Sequence, residues 1–305
     1  MTEQSTTAAP SASEPAGSLL PGLVRACRPK QWAKNVLVFV APAAAGVITE
    51  PYRIRLTLVA FVAFCMVSSS TYLLNDVMDV ESDRQHPTKR RRPIASGAVP
   101  VPVALVASVL LFLGGVALGA SDNWALAGIV AGYAVLTTCY SLWLKKLPVF
   151  DVVVLSAGFI LRLLAGAYAA EVRVSEWFLI ISLFGSLFVA SAKRYAEKRE
   201  LGDAAAALRP TLGEYSMEYL GFLRSVSVAA VLVSYCLWAL ERAGEGGNRV
   251  FILLTIVPFL IAILRYALLV DQGKGSAPED VLLHDRQMQL MGGIWVVCLM
   301  LGIYL

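Results

Sequence analysis

Asn75-Asp76-Val77-Met78-Asp79-Val80-Glu81-Ser82-Asp83 decides how this chain is read, because it sets a run of carboxylates at the end of an apolar segment, 55–74, long enough to cross a bilayer. Charge in that position is expensive in lipid and marks function. On a helix turning about 100° per residue, Asn75, Asp76, Asp79 and Asp83 fall within an arc of about 100°, whereas Glu81 points to the other side. Oxygen ligands gathered on one face suit a hard cation such as Mg²⁺, which takes one or two protein carboxylates and completes its shell with water and substrate phosphate. Directly downstream runs Arg84-Gln85-His86-Pro87-Thr88-Lys89-Arg90-Arg91-Arg92-Pro93. Acid suited to a metal and base suited to phosphate therefore sit side by side.

Outward from that stretch the chain is a membrane protein throughout. Hydrophobic residues make up 57% of it, charged residues only 16%, and the mean hydropathy is +0.66, a balance that soluble domains rarely show. Nine apolar segments have spanning or near-spanning length: 36–50, 55–74, 101–120, 124–143, 151–170, 176–192, 223–241, 250–270 and 288–305. No period-two alternation is present, so the spans are read as helices. The fold class expected is all-α and polytopic, with residues 21–305 as one transmembrane catalytic domain. Residues 1–20, rich in Ser, Thr, Ala and Pro, are expected to be a disordered cytosolic tail rather than a signal peptide.

Charge distribution sets the orientation. The segment ahead of the first span and the ends and loops that follow spans two, four, six and eight hold 20 of the 26 Lys and Arg residues; the opposite side holds Arg53, Arg55, Arg173, Arg242 and Arg249, and Arg162 lies inside a span. By the positive-inside rule the rich side is cytoplasmic, which predicts a multi-pass protein of the cell (inner) membrane with its active site facing the cytoplasm. The net charge of +4 is ordinary for such a protein beside anionic lipid. Cys27, Cys65, Cys139, Cys236 and Cys298 show neither disulfide nor zinc spacing, and no nucleic-acid module is present.

Three further clusters fall on the same side. Tyr140-Ser141-Leu142-Trp143-Leu144-Lys145-Lys146-Leu147-Pro148-Val149-Phe150-Asp151 puts a tyrosine, lysines and an acid in one tight loop; Lys145 and Lys146 read either as positive-inside anchors or, in the functional reading, with Lys145 binding phosphate and Asp151 orienting it. Arg162, eleven residues into the following span, needs an anion, a carboxylate or a wet cavity at that depth. Lys193-Arg194-Tyr195-Ala196-Glu197-Lys198-Arg199-Glu200 places Lys193, Glu197 and Glu200 on one helical face, a pattern that also suits simple pairing on a solvated helix end. Arg28-Pro29-Lys30-Gln31-Trp32-Ala33-Lys34-Asn35 precedes the first span, where Trp32 and the lysines read as interfacial anchors or as binding groups.

In their order along the chain these segments resemble the UbiA superfamily of intramembrane prenyltransferases: R-P-x-x-W-x-K-N (Arg28 to Asn35), N-D-x-x-D-x-x-x-D (Asn75 to Asp83), K-R-R-R-P-I-x-S-G (Lys89 to Gly97) and Y-x-x-x-x-K-x-x-x-x-x-D (Tyr140, Lys145, Asp151). The resemblance implies nine helices around a central cavity, with the acidic motif holding Mg²⁺ on a diphosphate. Members that use an isoprenyl diphosphate carry a second aspartate-rich motif after span six, where this chain has Lys193, Arg194, Glu197 and Glu200. That departure is similar to the decaprenyl-phosphate phosphoribosyltransferase subgroup, and it implies phosphoribosyl pyrophosphate as donor and a decaprenyl (polyprenyl) phosphate as acceptor, on the route to a lipid-linked arabinose donor for cell-wall synthesis. The extra basic residues suit three anionic groups in one pocket.

Under that reading Asn75, Asp76, Asp79 and Asp83 hold the metal, and Asp76, Asp79 and Asp83 are the catalytic set. Lys34, Tyr72, Asn75, Arg84, Lys89, Arg92, Tyr140, Lys145, Asp151, Arg162, Lys193 and Arg194 are the substrate-binding candidates. His86 and His284 are read as loop residues, since an anionic lipid phosphate needs no strong general base. Small residues in span five (Gly158, Ala165, Gly166, Ala167) permit close helix approach, and self-association is left open. The rival reading is a family member that moves a prenyl group to an aromatic or haem acceptor. A transporter would show inverted repeats with broken helices, and no convincing pair is found.

Overall fold

A computed structural model of the chain describes residues 19–202, 210–245, 248–273, 281 and 284–305; the tail expected over 1–20 lies almost wholly outside the described residues. The first helix is α1 (Leu19–Ala26), followed by a 3₁₀ stretch, Pro29–Phe39, and the short α2 (Val40–Ala44). Next come α3 (Pro51–Met78), α4 (Val80–Gln85), α5 (Val101–Asp122), α6 (Trp124–Leu142), α7 (Phe150–Ala169) and α8 (Glu176–Leu201). The remainder is α9 (Pro210–Glu214), α10 (Met217–Glu245), α11 (Arg249–Leu254), α12 (Ile256–Asp271) and α13 (Arg286–Tyr304). Their starts follow local chemistry. Proline opens α3, where its missing N–H costs nothing. The side chains of Asn123, Ser175, Asn248 and Asp285 accept backbone N–H groups at the starts of α6, α8, α11 and α13.

Among the described residues eight helical segments are long and apolar enough to cross a membrane, α11 and α12 counting together as Arg249–Asp271. The break between them falls at Thr255, where Pro258 cannot supply the N–H that would bond Leu254. The first expected span, 36–50, differs from expectation. The crossing begins earlier, at Pro29, and runs mostly as 3₁₀ helix: eleven residues at about 2.0 Å rise, then α2 at about 1.5 Å, reach roughly the 30 Å of a bilayer core. Arg28 touches Asp76 near the end of α3, while the Gly46 carbonyl accepts from Tyr304 at the end of α13, the side where α3 begins. Residues 29–46 thus pass from one face to the other. Polarity hid this from the hydropathy reading, because Trp32, Lys34 and Asn35 turn inward: Trp32 donates to Ser69 on α3, Asn35 is fully buried, and Lys34 lines the interior.

Two packed groups result. One gathers α3, α5, α6, α7 and the 3₁₀ stretch around Phe64, Val67, Leu126, Val130 and Tyr133; the other gathers α8, α12 and α13 around Phe188, Tyr266, Leu269 and Met288. Between them lies a cavity of about 1010 Å³, lined by residues of the 3₁₀ stretch, α2, α3, α6, α7, α8, α10, α12 and α13. Its walls are mostly apolar, with Tyr235, Trp238, Phe259 and Trp295 toward the far end; Lys34, Tyr140 and Lys193 line it toward the end that carries the acidic motif, and Arg173 and Arg242 line it on the opposite side.

Candidate active site

Six of the sequence-predicted residues line this cavity: Lys34, Tyr72, Asn75, Tyr140, Arg162 and Lys193. They come from five different elements, the 3₁₀ stretch, α3, α6, α7 and α8, which is why no local sequence window contains them all. Asp76, Asp79, Asp83, Arg84, Lys89, Arg92, Lys145, Asp151 and Arg194 are not among its lining residues.

The acidic motif is not one continuous helical face. Helix α3 stops at Met78, and Asp79, at φ −93° and ψ 5°, joins it to α4. The face drawn on an unbroken helix is therefore reorganised at Asp79, which is exposed, while Asp76 and Asp83 are buried, at 3% and 2% exposure. Arg92 draws these two together: its Nη1 donates to Asp83 Oδ2 at 2.6 Å and to Asp76 Oδ1 at 3.1 Å. Arg28 Nη2 donates to the same Asp76 oxygen at 2.6 Å, with its guanidinium 4.9 Å from the Tyr72 ring centroid. Arg28 holds a left-handed conformation (φ 55°), and the proline that follows steers it away from right-handed helix. Two carboxylates and two guanidinium groups thus alternate in one chain of contacts, Arg28–Asp76–Arg92–Asp83, with the carboxylates buried.

Among the described residues no three His, Cys, Asp or Glu side chains converge as a ready-made metal cage. What converges is the pair Asp76 and Asp83, both within reach of one cationic nitrogen. A two-carboxylate, all-oxygen site of this kind fits Mg²⁺, which keeps the rest of its shell for water and phosphate oxygens. Of the flanking basic residues, Arg84 is half-exposed and turned to Glu81 (2.9 Å) and to the Ala95 carbonyl, and Lys89 is exposed in a 3₁₀ turn. Only Arg92 of that run reaches the carboxylates.

Asp151 and Arg194, both read from sequence as substrate-binding groups, are instead bonded to each other and buried, at 0% and 1% exposure. Arg194 Nε donates to Asp151 Oδ2 (2.8 Å), Nη1 to Glu197 (2.7 Å) and Nη2 to the Tyr140 hydroxyl (2.9 Å). The other Asp151 oxygen accepts from the Tyr215 hydroxyl (2.5 Å), whose oxygen accepts the Val149 N–H (2.6 Å). That last bond helps hold Val149 at φ 69°, a strained value for a β-branched residue. Burial and the Asp151 carboxylate push the Tyr215 hydroxyl well above the usual tyrosine range, so it stays a donor. Glu197 accepts from Arg194, and Lys193 lines the cavity. Tyr140, whose hydroxyl oxygen accepts from Arg194, also lines the cavity. Lys145, in the 3₁₀ turn Leu144–Lys146, is half-buried outside it.

Sequence reasoning missed Arg28 as a partner of Asp76, and it missed Asn35, Tyr133 and Tyr215 as orienting groups. The available signals were a polar Asn inside the first crossing and the Ser68-Ser69-Ser70-Thr71 run in mid-span; Asn35 Nδ2 donates to Ser68 Oγ at 3.3 Å.

The pattern that describes the UbiA prenyltransferase family matches residues 36–291. A decaprenyl-phosphate phosphoribosyltransferase from Corynebacterium glutamicum is 42% identical over 297 residues, covering 96% of this chain and 90% of the relative. One from Mycobacterium tuberculosis is 43% identical over 290 residues, covering 93% and 94%. Among solved structures, a UbiA homologue from Archaeoglobus fulgidus bound to GPP and Mg²⁺ superposes with a TM-score of 0.71 at 16% identity, covering 93% of this chain and all of that one.

Proposed function

This chain belongs to the UbiA prenyltransferase family, and from that premise we propose that it transfers 5-phosphoribose from phosphoribosyl pyrophosphate to a polyprenyl phosphate such as decaprenyl phosphate. The observation that carries the choice of donor is the end of α8. An isoprenyl diphosphate enzyme of this family would need a second acidic metal site there. Here Glu197 is bonded to Arg194, and the neighbouring side chain that faces the cavity is the cation Lys193. The similarity to phosphoribosyltransferases over nearly the whole chain supports the same choice.

Asp76 and Asp83 would hold Mg²⁺, with Asn75 and Asp79 beside them; the ion would supply charge neutralisation for the diphosphate. Arg28 and Arg92, at the same carboxylates, stand where the leaving pyrophosphate gathers charge, and groups preorganised for developing charge lower the barrier more than groups that bind the ground state. A lipid phosphate oxygen attacks the anomeric carbon as the bond from that carbon to pyrophosphate breaks. The electron pair leaves with pyrophosphate, and no proton need move. Lys34, Lys193 and the Tyr140 hydroxyl gather the phosphates at the mouth. The positive-inside rule applied to the basic loops supports a mouth facing the cytoplasm, with the protein in the inner membrane.

Transfer of radiolabel from phosphoribosyl pyrophosphate into organic-extractable lipid by purified protein, with decaprenyl phosphate and with or without Mg²⁺, tests the proposal. Label in the lipid only with the metal is expected. Consumption of a prenyl diphosphate with an aromatic acceptor, and no lipid label, would replace it with ordinary prenyl transfer. In the same assay Asp76→Asn and Asp83→Asn are each expected to lower turnover by on the order of 10²-fold and to raise the Mg²⁺ needed for half-maximal rate. Unchanged metal dependence in both would sink the metal assignment.

A further inference from the structure

Arg162 is 6% exposed and lines the cavity, yet among the described residues no carboxylate lies within salt-bridge distance of it. Its three hydrogen bonds go to neutral acceptors: Nε to Asn35 Oδ1 at 2.8 Å, Nη1 to the Gly158 carbonyl at 2.7 Å and Nη2 to the Tyr133 hydroxyl at 2.8 Å. The guanidinium also lies 4.7 Å from the Tyr133 ring centroid. A guanidinium has five N–H donors and stays charged in proteins, so two donors and the full charge are left over.

Tyr133 shows the same surplus. Its hydroxyl oxygen accepts from Arg162, and no described group takes its proton. Tyr133 lines the cavity as well. The arrangement around the pair is fixed from behind, because Asn35 is held by Ser68 and Cys65 and turns its carbonyl oxygen to Arg162. A buried cation that is oriented but not neutralised is built for an anion that arrives later.

Depth separates this pair from the carboxylate site. Asp76 lies two residues from the end of α3, whereas Gly158, level with the Arg162 guanidinium, is eight residues into α7, about 12 Å below its start at 1.5 Å per residue. Leu136, Phe159 and Leu163 belong to the apolar cavity wall, and the Phe159 ring centroid lies 5.9 Å from the guanidinium. A donor anchored by its diphosphate at the mouth leaves this deeper position, beside apolar wall, to the other phosphorylated substrate.

We infer that Arg162 and the Tyr133 hydroxyl form a second anion subsite that takes a phosphate monoester, the one carried by the polyprenyl acceptor. This assignment rests on the phosphoribosyl-transfer reading. The shared chemistry, a phosphate monoester, also describes the 5-phosphate of the donor, and the test separates the two.

The experiment is thermal unfolding of the detergent-purified protein with decaprenyl phosphate against decaprenol, combined with KM values for both substrates. Wild type is expected to be stabilised by the phosphate and much less by the alcohol. In Arg162→Met that difference disappears and the acceptor KM rises about tenfold or more, the size of a lost charge-assisted hydrogen bond; the donor KM stays within about twofold. Tyr133→Phe, which keeps the ring against Phe64, raises the acceptor KM alone by a smaller factor and carries the test if Arg162→Met does not fold. A rise confined to the donor KM would hand the subsite to the 5-phosphate and overturn the acceptor assignment. Unchanged KM values, with phosphate still preferred to alcohol in the variants, would overturn the subsite altogether. Failure of wild type itself to prefer phosphate over alcohol would instead count against the phosphoribosyl-transfer reading.

Discussion

Asp151→Asn and Arg194→Met are each expected to destabilise the protein by about 3–5 kcal/mol, the range for stripping one partner from a buried ion pair, and to lower turnover of whatever folds. The pair spans α7 and α8 with both side chains at 1% exposure or less, so neither charge can turn to water when its partner goes. Loss of Arg194 leaves Asp151 with only the Tyr215 hydroxyl. Loss of the Asp151 charge leaves Arg194 with Glu197, which places that variant at the milder end. Arg194→Lys is expected to rescue little, because an ammonium cannot serve Asp151, Glu197 and Tyr140 in three fixed directions as the guanidinium does. Combining Asp151→Asn with Arg194→Met should cost less than the sum, since the double variant buries no unpaired charge. Thermal melting in detergent measures all four. A melt for Asp151→Asn within a degree of wild type would show that the pair is not structural, and would return Asp151 to the substrate-binding role its sequence position suggested.

The functional part of that expectation comes from Tyr140. Its oxygen accepts from Arg194 while the residue lines the cavity, so that bond fixes where the hydroxyl stands. Asp151 and Arg194 therefore act through Tyr140 as positioning residues. The folded fraction of Arg194→Met should show raised KM for phosphorylated substrate rather than a changed metal requirement.

How much of this was legible beforehand divides along contact distance in sequence. The cavity-facing set Lys34, Tyr72, Asn75, Tyr140, Arg162 and Lys193 could be read because each polar side chain stands in or beside an apolar segment, where lipid exposure would be costly. The acidic pair was readable as chemistry, but not as geometry, since the helical face assumed an unbroken helix and the chain bends at Asp79. Pairings were beyond reach. Arg162 meets Asn35 across 127 residues and Arg194 meets Asp151 across 43, and nothing in either local window selects one partner over a nearby alternative. Glu197 is a further case: its helical face could be read from spacing, but its bond to Arg194 three residues back could not be chosen over other partners. The first crossing was misplaced for a related reason, because hydropathy scores Trp32, Lys34 and Asn35 as interfacial, whereas tertiary contacts with Ser69, the cavity and Arg162 let them lie inside.

That first crossing is also where a single methyl group is expected to matter most. Gly158 and Gly166 looked alike as small residues of one span, but the structure separates them. A Cβ at Gly166 would stand 1.7 Å from the Val38 carbonyl oxygen and 2.7 Å from its carbon, both backbone atoms of the 3₁₀ stretch. At Gly158 the nearest atoms would be side-chain atoms of Arg162 and Tyr133 at 3.7 Å, an ordinary contact. Gly166→Ala is therefore expected to force the 3₁₀ stretch away from α7, at a cost at or above the usual 1–3 kcal/mol for overpacking, roughly stated, because no rotamer change can relieve a clash with main chain. Gly158→Ala should melt within about 1 kcal/mol of wild type. The displacement has a chemical consequence, since Val38 lies one helical turn beyond Asn35, whose carbonyl oxygen holds Arg162. Gly166→Ala that still folds should thus lose acceptor affinity without touching any group that faces substrate, and Gly166→Val should not yield folded protein. Gly166→Ala melting and turning over like wild type would mean that the first crossing does not lie against α7 as closely as Val38 and Gly166 require.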